Sequence, residues 1–308
     1  MLFRRLWYLL LLLVFYVFIN IHFSTRNLNP DQNSISESRF YTNSSYEPKQ
    51  YNEQFDNDDV VFLIITGKPN QDDRIPLQQQ TWMRYTTQTY IFSETASGRL
   101  PLIVLPNITD SYASNGPKFW DALQWAWERF QNRAKWFAKV DDDTFVNVHE
   151  IYKLLKQKDA RKFTVYGRCG EHFLPETHVS QETLPKNWTF VDGGAGTFIS
   201  SYAMSLLNLH GFLNKSKVLQ RHGSTLFGFQ DASFGEIIAE IARRETLRYN
   251  RTFTSPFICE DRRLQHQCDP KHPEAKFCLR QRCTTLHRCR KDLMLFWHRH
   301  FSMRRLGT

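Results

Sequence analysis

The stretch that most constrains this chain is Trp136-Phe137-Ala138-Lys139-Val140-Asp141-Asp142-Asp143-Thr144-Phe145-Val146, an apolar run that drives into three consecutive carboxylates and then turns apolar again. In an extended chain successive side chains point to opposite faces, so Asp141 and Asp143 share one face and Asp142 takes the other. Three adjacent like charges raise one another's energy. Either water solvates them in an acidic turn, or the fold gathers them at a strand end around a cation. The tight apolar flanks support the strand end. Hard oxygen ligands on one face suit Mn²⁺ or Mg²⁺ held jointly with a phosphate.

The chain around this stretch reads as an α/β layered sheet. Val60 to Thr66 is a continuous β-branched and aliphatic run ending at Gly67, the pattern of a strand buried on both faces of a parallel sheet. Arg74 to Tyr85 reads as a helix, and Tyr90 to Phe92 and Leu102 to Leu105 as short strands. Pro117 opens a helix in which Phe119, Trp120, Leu123, Trp127 and Phe130 recur at helical spacing, as core aromatics do. After the triplet come a helix around residues 150–157 and a strand from Phe163 to Gly167. In such a sheet ligands bind beyond the carboxyl ends of the strands, which is where the triplet stands.

The first residues bear on compartment. Arg4 and Arg5 precede an unbroken apolar run from Leu6 to Ile19 that continues through Ile21 and Phe23. The run is sufficient for a thin bilayer and lacks the small residues of a cleavage site. The expectation is a cytoplasmic tail over 1–5, an uncleaved signal anchor over 6–23 and a luminal remainder. Residues 24–57, rich in Asn, Ser, Gln and Glu, bury too little to fold alone and read as a stem; 58–308 is the globular part. Sequons at Asn43, Asn107, Asn187, Asn214 and Asn250 agree with a lumen. So do six cysteines, five of them from Cys259 onward, which point to a disulfide-rich C-terminal subdomain from about residue 255. A zinc cluster including His287 is the rival, without the paired Cys-x-x-Cys spacing that marks one. The net charge of +9 is concentrated: residues 243–308 hold 16 Lys/Arg against 6 Asp/Glu, the rest 24 against 25. No nucleic-acid-binding signature accompanies that basic segment, so nucleic acid is not an expected partner.

Two later segments stand out. Phe190 to Ser200 places three glycines in four residues, Gly193, Gly194 and Gly196, between apolar flanks. Such a segment lets a backbone approach a ligand or a strand closely, and taken alone it reads as a tight turn. It is not a dinucleotide fingerprint. Asp231 opens the helix that runs on through Ile241, where its ordinary role is a cap; in a cleft it is a candidate general base.

Together these motifs resemble a known family. Thr81-Trp82, the Trp136–Thr144 stretch, Gly193-Gly194-Ala195-Gly196 and Gln230-Asp231 with Gly235 are similar, in order and spacing, to the Fringe and core 1 β1,3-galactosyltransferase branch of the β1,3-glycosyltransferases. The resemblance covers roughly Val60 to Ile241. More weakly, Cys289 to His298 is similar to the C-terminal segment of the core 1 enzymes. The resemblance implies a GT-A fold, a type II Golgi membrane enzyme, a UDP-sugar donor with Mn²⁺, and inversion to a β1,3 product. It also assigns residues. Asp143 would be the principal metal ligand and His298 the other protein ligand, with His300 as substitute. Asp141 and Asp142 would position the nucleotide-sugar, Asp231 would be the base, and Gly193 and Gly194 would floor the sugar site. Gln230 departs from the acidic residue that family members usually carry there.

The leading expectation is transfer of galactose from UDP-galactose to a glycoprotein O-glycan acceptor, Ser/Thr-linked GalNAc. Fringe-type transfer of GlcNAc to O-fucose is the alternative. A non-catalytic chaperone or lectin-like relative is the rival of a different class; it has little reason to keep the Asp triplet. Whether the chain forms a homodimer is not legible.

Overall fold

Alternation along the first strand decides the layering. In β1 (Val60–Ile65), Val60, Phe62 and Ile64 face one core, and Val61, Leu63 and Ile65 face a second. Both sets are buried, so helices must cover both faces. The computed structural model describes residues 56–109, 114–170, 190–228, 230–249, 255–259, 264–265, 267–280 and 283–306, all within one unit spanning 51–308. The expected tail and anchor, and the expected stem up to residue 55, lie outside the described residues. Among those described, no helix is long and apolar enough to cross a membrane.

Seven strands form the main sheet. They are β1, β2 (Thr89–Ser93), β3 (Ile103–Val104), β4 (Trp136–Asp141), β6 (Val165–Gly170), β7 (Phe190–Ser200) and β8 (Phe257–Cys259), in the order β3-β2-β1-β4-β7-β6-β8. β3, β2, β1 and β4 are mutually parallel; β7 runs antiparallel to both neighbours. A second sheet joins β5 (Phe145–Val146), β10 (Thr285–Leu286) and β9 (Leu264–Gln265). The helices are α1 (Lys68–Gln80), α2 (Asn115–Phe130), α3 (Val148–Lys156), α4 (Ser201–Leu209), α5 (Lys215–Gly228), α6 (Gln230–Arg248), α7 (Pro273–Arg280) and α8 (Lys291–Leu306). On one face α2 and α6 bury Trp120, Leu123, Phe234 and Ile237. On the other, α3 and α8 bury Ile151, Leu155, Met294 and Trp297. The expected α/β layered sheet is what the described residues form, with β7 making it mixed.

Two elements differ from those expected. α1 begins at Lys68, six residues before the expected start, with a proline in its first turn. Its opening residues are polar and carry no apolar period; only Gln71, Ile75 and Gln78 are buried. The glycine-rich segment is no turn but the interior of β7, eleven residues long. β7 pairs with β6 over Phe190–Asp192 and Thr197–Ile199 and with β4 over Thr197–Ser200, so the glycines sit at a break in the register. The carbonyls of Gly193, Gly194 and Ala195 accept from Lys139 Nζ, Thr144 Oγ1 and Thr285 Oγ1 instead.

All six cysteines are paired: Cys169–Cys259, Cys268–Cys289 and Cys278–Cys283. The first joins β6 to its neighbour β8; the other two lie within the C-terminal segment. With every thiol consumed, the zinc-cluster reading falls.

Candidate active site

The site follows from strand register. Ile65 pairs with Asp141, so β1 and β4 leave the sheet at one level. Beyond them the chain turns through Asp142 and Asp143, with the Thr144 amide donating to the Asp141 carbonyl at 3.1 Å. Two side chains from the α1 region fix that turn. Gln78 Nε2 donates to the carbonyls of Asp141 (3.0 Å) and Thr144 (3.3 Å), and buried Trp82 donates Nε1–H to Thr144 at 3.0 Å. Trp82 of the Thr81-Trp82 motif, with Gln78, thus braces the acidic turn.

The three carboxylates have separate surroundings. Asp142 is buried; it accepts from Thr66 Oγ1 at 2.7 Å and pairs with Arg74 Nη1 at 2.6 Å. Burial nevertheless keeps its carboxyl above the ordinary range, against Arg74 and Thr66. Asp143 meets His287 Nε2 at 3.1 Å and Arg74 at 3.4 Å. Burial works to raise the Asp143 carboxyl, but the His287 hydrogen bond and charge, with Arg74, hold it below the usual range. Asp141 pairs with Lys139 Nζ at 2.6 Å and lies 3.7 Å from His287 Nε2. Lys139 is fully buried in β4; its ammonium also donates to the Gly193 carbonyl at 3.3 Å.

His287 arrives from far along the chain. It follows β10, which pairs with β5 directly after the triplet. Its amide donates to the Gln265 carbonyl at 2.9 Å, the Cys289 amide donates to the Asp143 carbonyl at 2.8 Å, and the Cys268–Cys289 bond closes the segment behind it. Burial lowers the imidazole's affinity for a proton; the bond to Asp143 and the charges of Asp141 and Asp143 outweigh that and raise it.

The glycines of β7 make room for these groups. A Cβ at Gly193 would fall inside the Asp231 carboxylate and 2.9 Å from Lys139 Nζ, and one at Gly194 would fall inside the His287 ring. Gly196 has φ +100°, a conformation open to glycine. Asp231 lies in the first turn of α6. Burial pushes its carboxyl up to about 6; Lys139 opposes this, whereas Asp141 and Asp192 add to it. Asp141, Asp142, Asp143, Gly194, Asp231 and His287 line one cavity of about 660 Å³ at the carboxyl ends of β1 and β4.

The structure does not bring His298 to this cavity. It lies on α8, stacked on Tyr85 with ring centroids 6.0 Å apart. His300 on the same helix stacks on Phe296 instead. The imidazole beside the acidic turn is that of His287. Asp141, Asp143 and His287 each offer a ligand atom within 4.8 Å of the others, which among the described residues is the group able to hold a metal. Two carboxylate oxygens and one imidazole nitrogen fit Mn²⁺ or a similar ion. In the sequence His287 stood out only among the C-terminal cysteines, as part of the rival zinc reading.

The fold and this cavity define an α/β protein with a candidate divalent-metal centre and a desolvated carboxylate at its strand ends. Residues 55–255 match the family described as Fringe-like, and the chain belongs to that family. Among its relatives is the beta-1,3-N-acetylglucosaminyltransferase lunatic fringe of Xenopus laevis, 27% identical over 151 residues, covering 46% of this chain and 40% of that protein. The Fringe glycosyltransferase of Drosophila melanogaster is 27% identical over 159 residues, 48% of this chain and 38% of that one. A human beta-1,3-glucosyltransferase is 24% identical over 149 residues, 48% of this chain and 28% of that one. The chain thus spans two fifths or less of the length of these relatives.

Proposed function

We propose that this chain is an inverting β1,3-glycosyltransferase that moves a hexose from a UDP-sugar to a glycan acceptor. One observation carries the reading. Asp231, a carboxylate held near a pKa of about 6, shares a cavity with Asp141, Asp143 and His287. In this reading the acceptor hydroxyl gives its proton to Asp231 as its oxygen bonds to the anomeric carbon. The bond from that carbon to the diphosphate oxygen breaks, and UDP leaves with the electron pair. Asp141, Asp143 and His287 would hold Mn²⁺, which when bound offsets charge on the leaving diphosphate. Lys139 holds the Asp141 carboxylate in place and lies close enough to Asp231 to favour its ionised form. Gly193 and Gly194 keep the floor clear for Asp231 and His287.

Galactose is the donor sugar we propose first, with an O-linked GalNAc acceptor. The relatives' names support a second reading, transfer of N-acetylglucosamine as in Fringe. We further propose a GT-A catalytic domain on a luminal stem, tethered in the Golgi by residues 6–23. The test is incubation of the purified chain with Mn²⁺ and each UDP-sugar in turn, with product masses read by mass spectrometry. Transfer or hydrolysis that disappears in Asp231→Asn and Asp143→Asn supports the reading. No turnover of any UDP-sugar refutes it and leaves the non-catalytic relative standing.

A further inference from the structure

Four basic residues line the cavity: Arg74, Lys118, His287 and Arg288. Three are already committed. Arg74 pairs with Asp142 and Asp143, Lys118 pairs with buried Glu94, and His287 meets Asp143. Arg288 is exposed and makes no ion pair among the described residues. It also has φ +60°, a left-handed conformation uncommon outside glycine and asparagine. The neighbours impose it. The His287 amide is tied to Gln265, the Cys289 amide to Asp143, and Cys289 to Cys268, so residue 288 must make the corner between two fixed points. Glycine would turn that corner with less strain. Backbone strain at a cavity rim, next to a candidate metal ligand, is where a functional side chain is expected.

We propose that Arg288 binds the diphosphate of a nucleoside-diphosphate ligand in this cavity, an inference that rests on the donor reading above. A guanidinium presents a planar fork that matches two phosphate oxygens, and its charge persists at any working pH. Asp141, Asp142, Asp143, Asp192 and Asp231 line the same cavity, so an anionic ligand meets net repulsion unless cations answer it. Arg288 is the lining cation free to do so, and it enters with the segment that supplies His287. It holds the two phosphates as donor binds and stabilises the charge that gathers on them as UDP departs.

The experiment is calorimetric titration of the purified full-length chain with UDP and with UMP in the presence of Mn²⁺, and with Mn²⁺ alone. Arg288→Gly removes the guanidinium while accepting the backbone conformation, so its melting temperature should not fall. UDP affinity should drop about 10- to 100-fold, the loss for UMP should be smaller, and Mn²⁺ affinity should be unchanged. Arg288→Lys should recover part of the UDP loss. Arg288 is refuted, with the donor reading intact, if native protein binds UDP and Arg288→Gly binds it equally well. It is refuted too if UDP and UMP weaken equally, or if Mn²⁺ affinity falls with them. Native protein that binds no UDP overturns both.

Discussion

A carboxylate that takes a proton from an alcohol near neutral pH works best when its own pKa approaches that pH. Asp231 is placed for this by burial over Gly193, which lifts it to about 6, while Lys139 limits the rise. The base acts deprotonated, so turnover should be low well below pH 6, climb through it, and level off above. Asp231→Asn should lower kcat about 10²–10⁴-fold and abolish the rising limb, which a pH–rate profile of both proteins checks. The same scale separates the two histidines. His287→Ala should abolish tight Mn²⁺ binding in calorimetry. His298→Ala, which removes a ring stacked on Tyr85 away from the cavity, should leave it intact. A histidine at 298 needed for metal would contradict the placement. Gly194→Ala belongs with His287: the added methyl occupies the ring's position, so metal affinity should fall although residue 194 touches no ion.

At the scale of elements, the C-terminal segment serves as a bracket for one imidazole. β10 pairs with β5, the Cys268–Cys289 bond ties the chain on either side of His287, and Trp297 of α8 donates to the Cys268 carbonyl at 2.7 Å. Replacing Cys268 and Cys289 by Ser should cost about 2–5 kcal/mol of stability and weaken Mn²⁺ binding as well. Replacing Cys278 and Cys283, which close a loop of sequence separation 5, should cost less and spare the metal; thermal melts and calorimetry read both. This bracket marks the boundary of what the sequence disclosed. β1 and β4 were legible because a buried parallel strand leaves a continuous apolar run, and the triplet at the end of β4 was legible as charge where charge is costly. Asp231 was legible by its place at a helix start. β7 was misread because glycine's local preference is for turns, whereas its conformation is set by partners far away in the chain. The choice between His287 and His298 was hidden for a like reason. A contact across some 145 residues depends on how β10 docks, and neither periodicity nor spacing encodes that.

Over the whole molecule, charge and cavity answer one another. The segment after residue 243 carries the surplus of Lys and Arg, the remainder is nearly neutral, and the acidic turn lies where the two meet. His287 hydrogen-bonds Asp143 and faces Asp141 at 3.7 Å, an arrangement in which the two carboxylates still repel. An ion that binds this arrangement only in the folded state must stabilise the fold by mass action. At a hundredfold excess over its dissociation constant the gain is about 2.7 kcal/mol, or about 5–10 °C in melting temperature for a domain of this size. Mn²⁺ should produce that shift and a chelator should reverse it. UDP should add a further shift only when Mn²⁺ is present. Asp143→Asn should show neither response, because it loses one of the two carboxylate charges among the three ligands and the partner that orients His287. A melt of native protein indifferent to Mn²⁺ at millimolar concentration would mean that the Asp141, Asp143 and His287 cluster is an ion-pair network closing the end of the sheet. The basic C-terminal segment would then be there to neutralise the acidic turn, with no role in meeting a nucleotide.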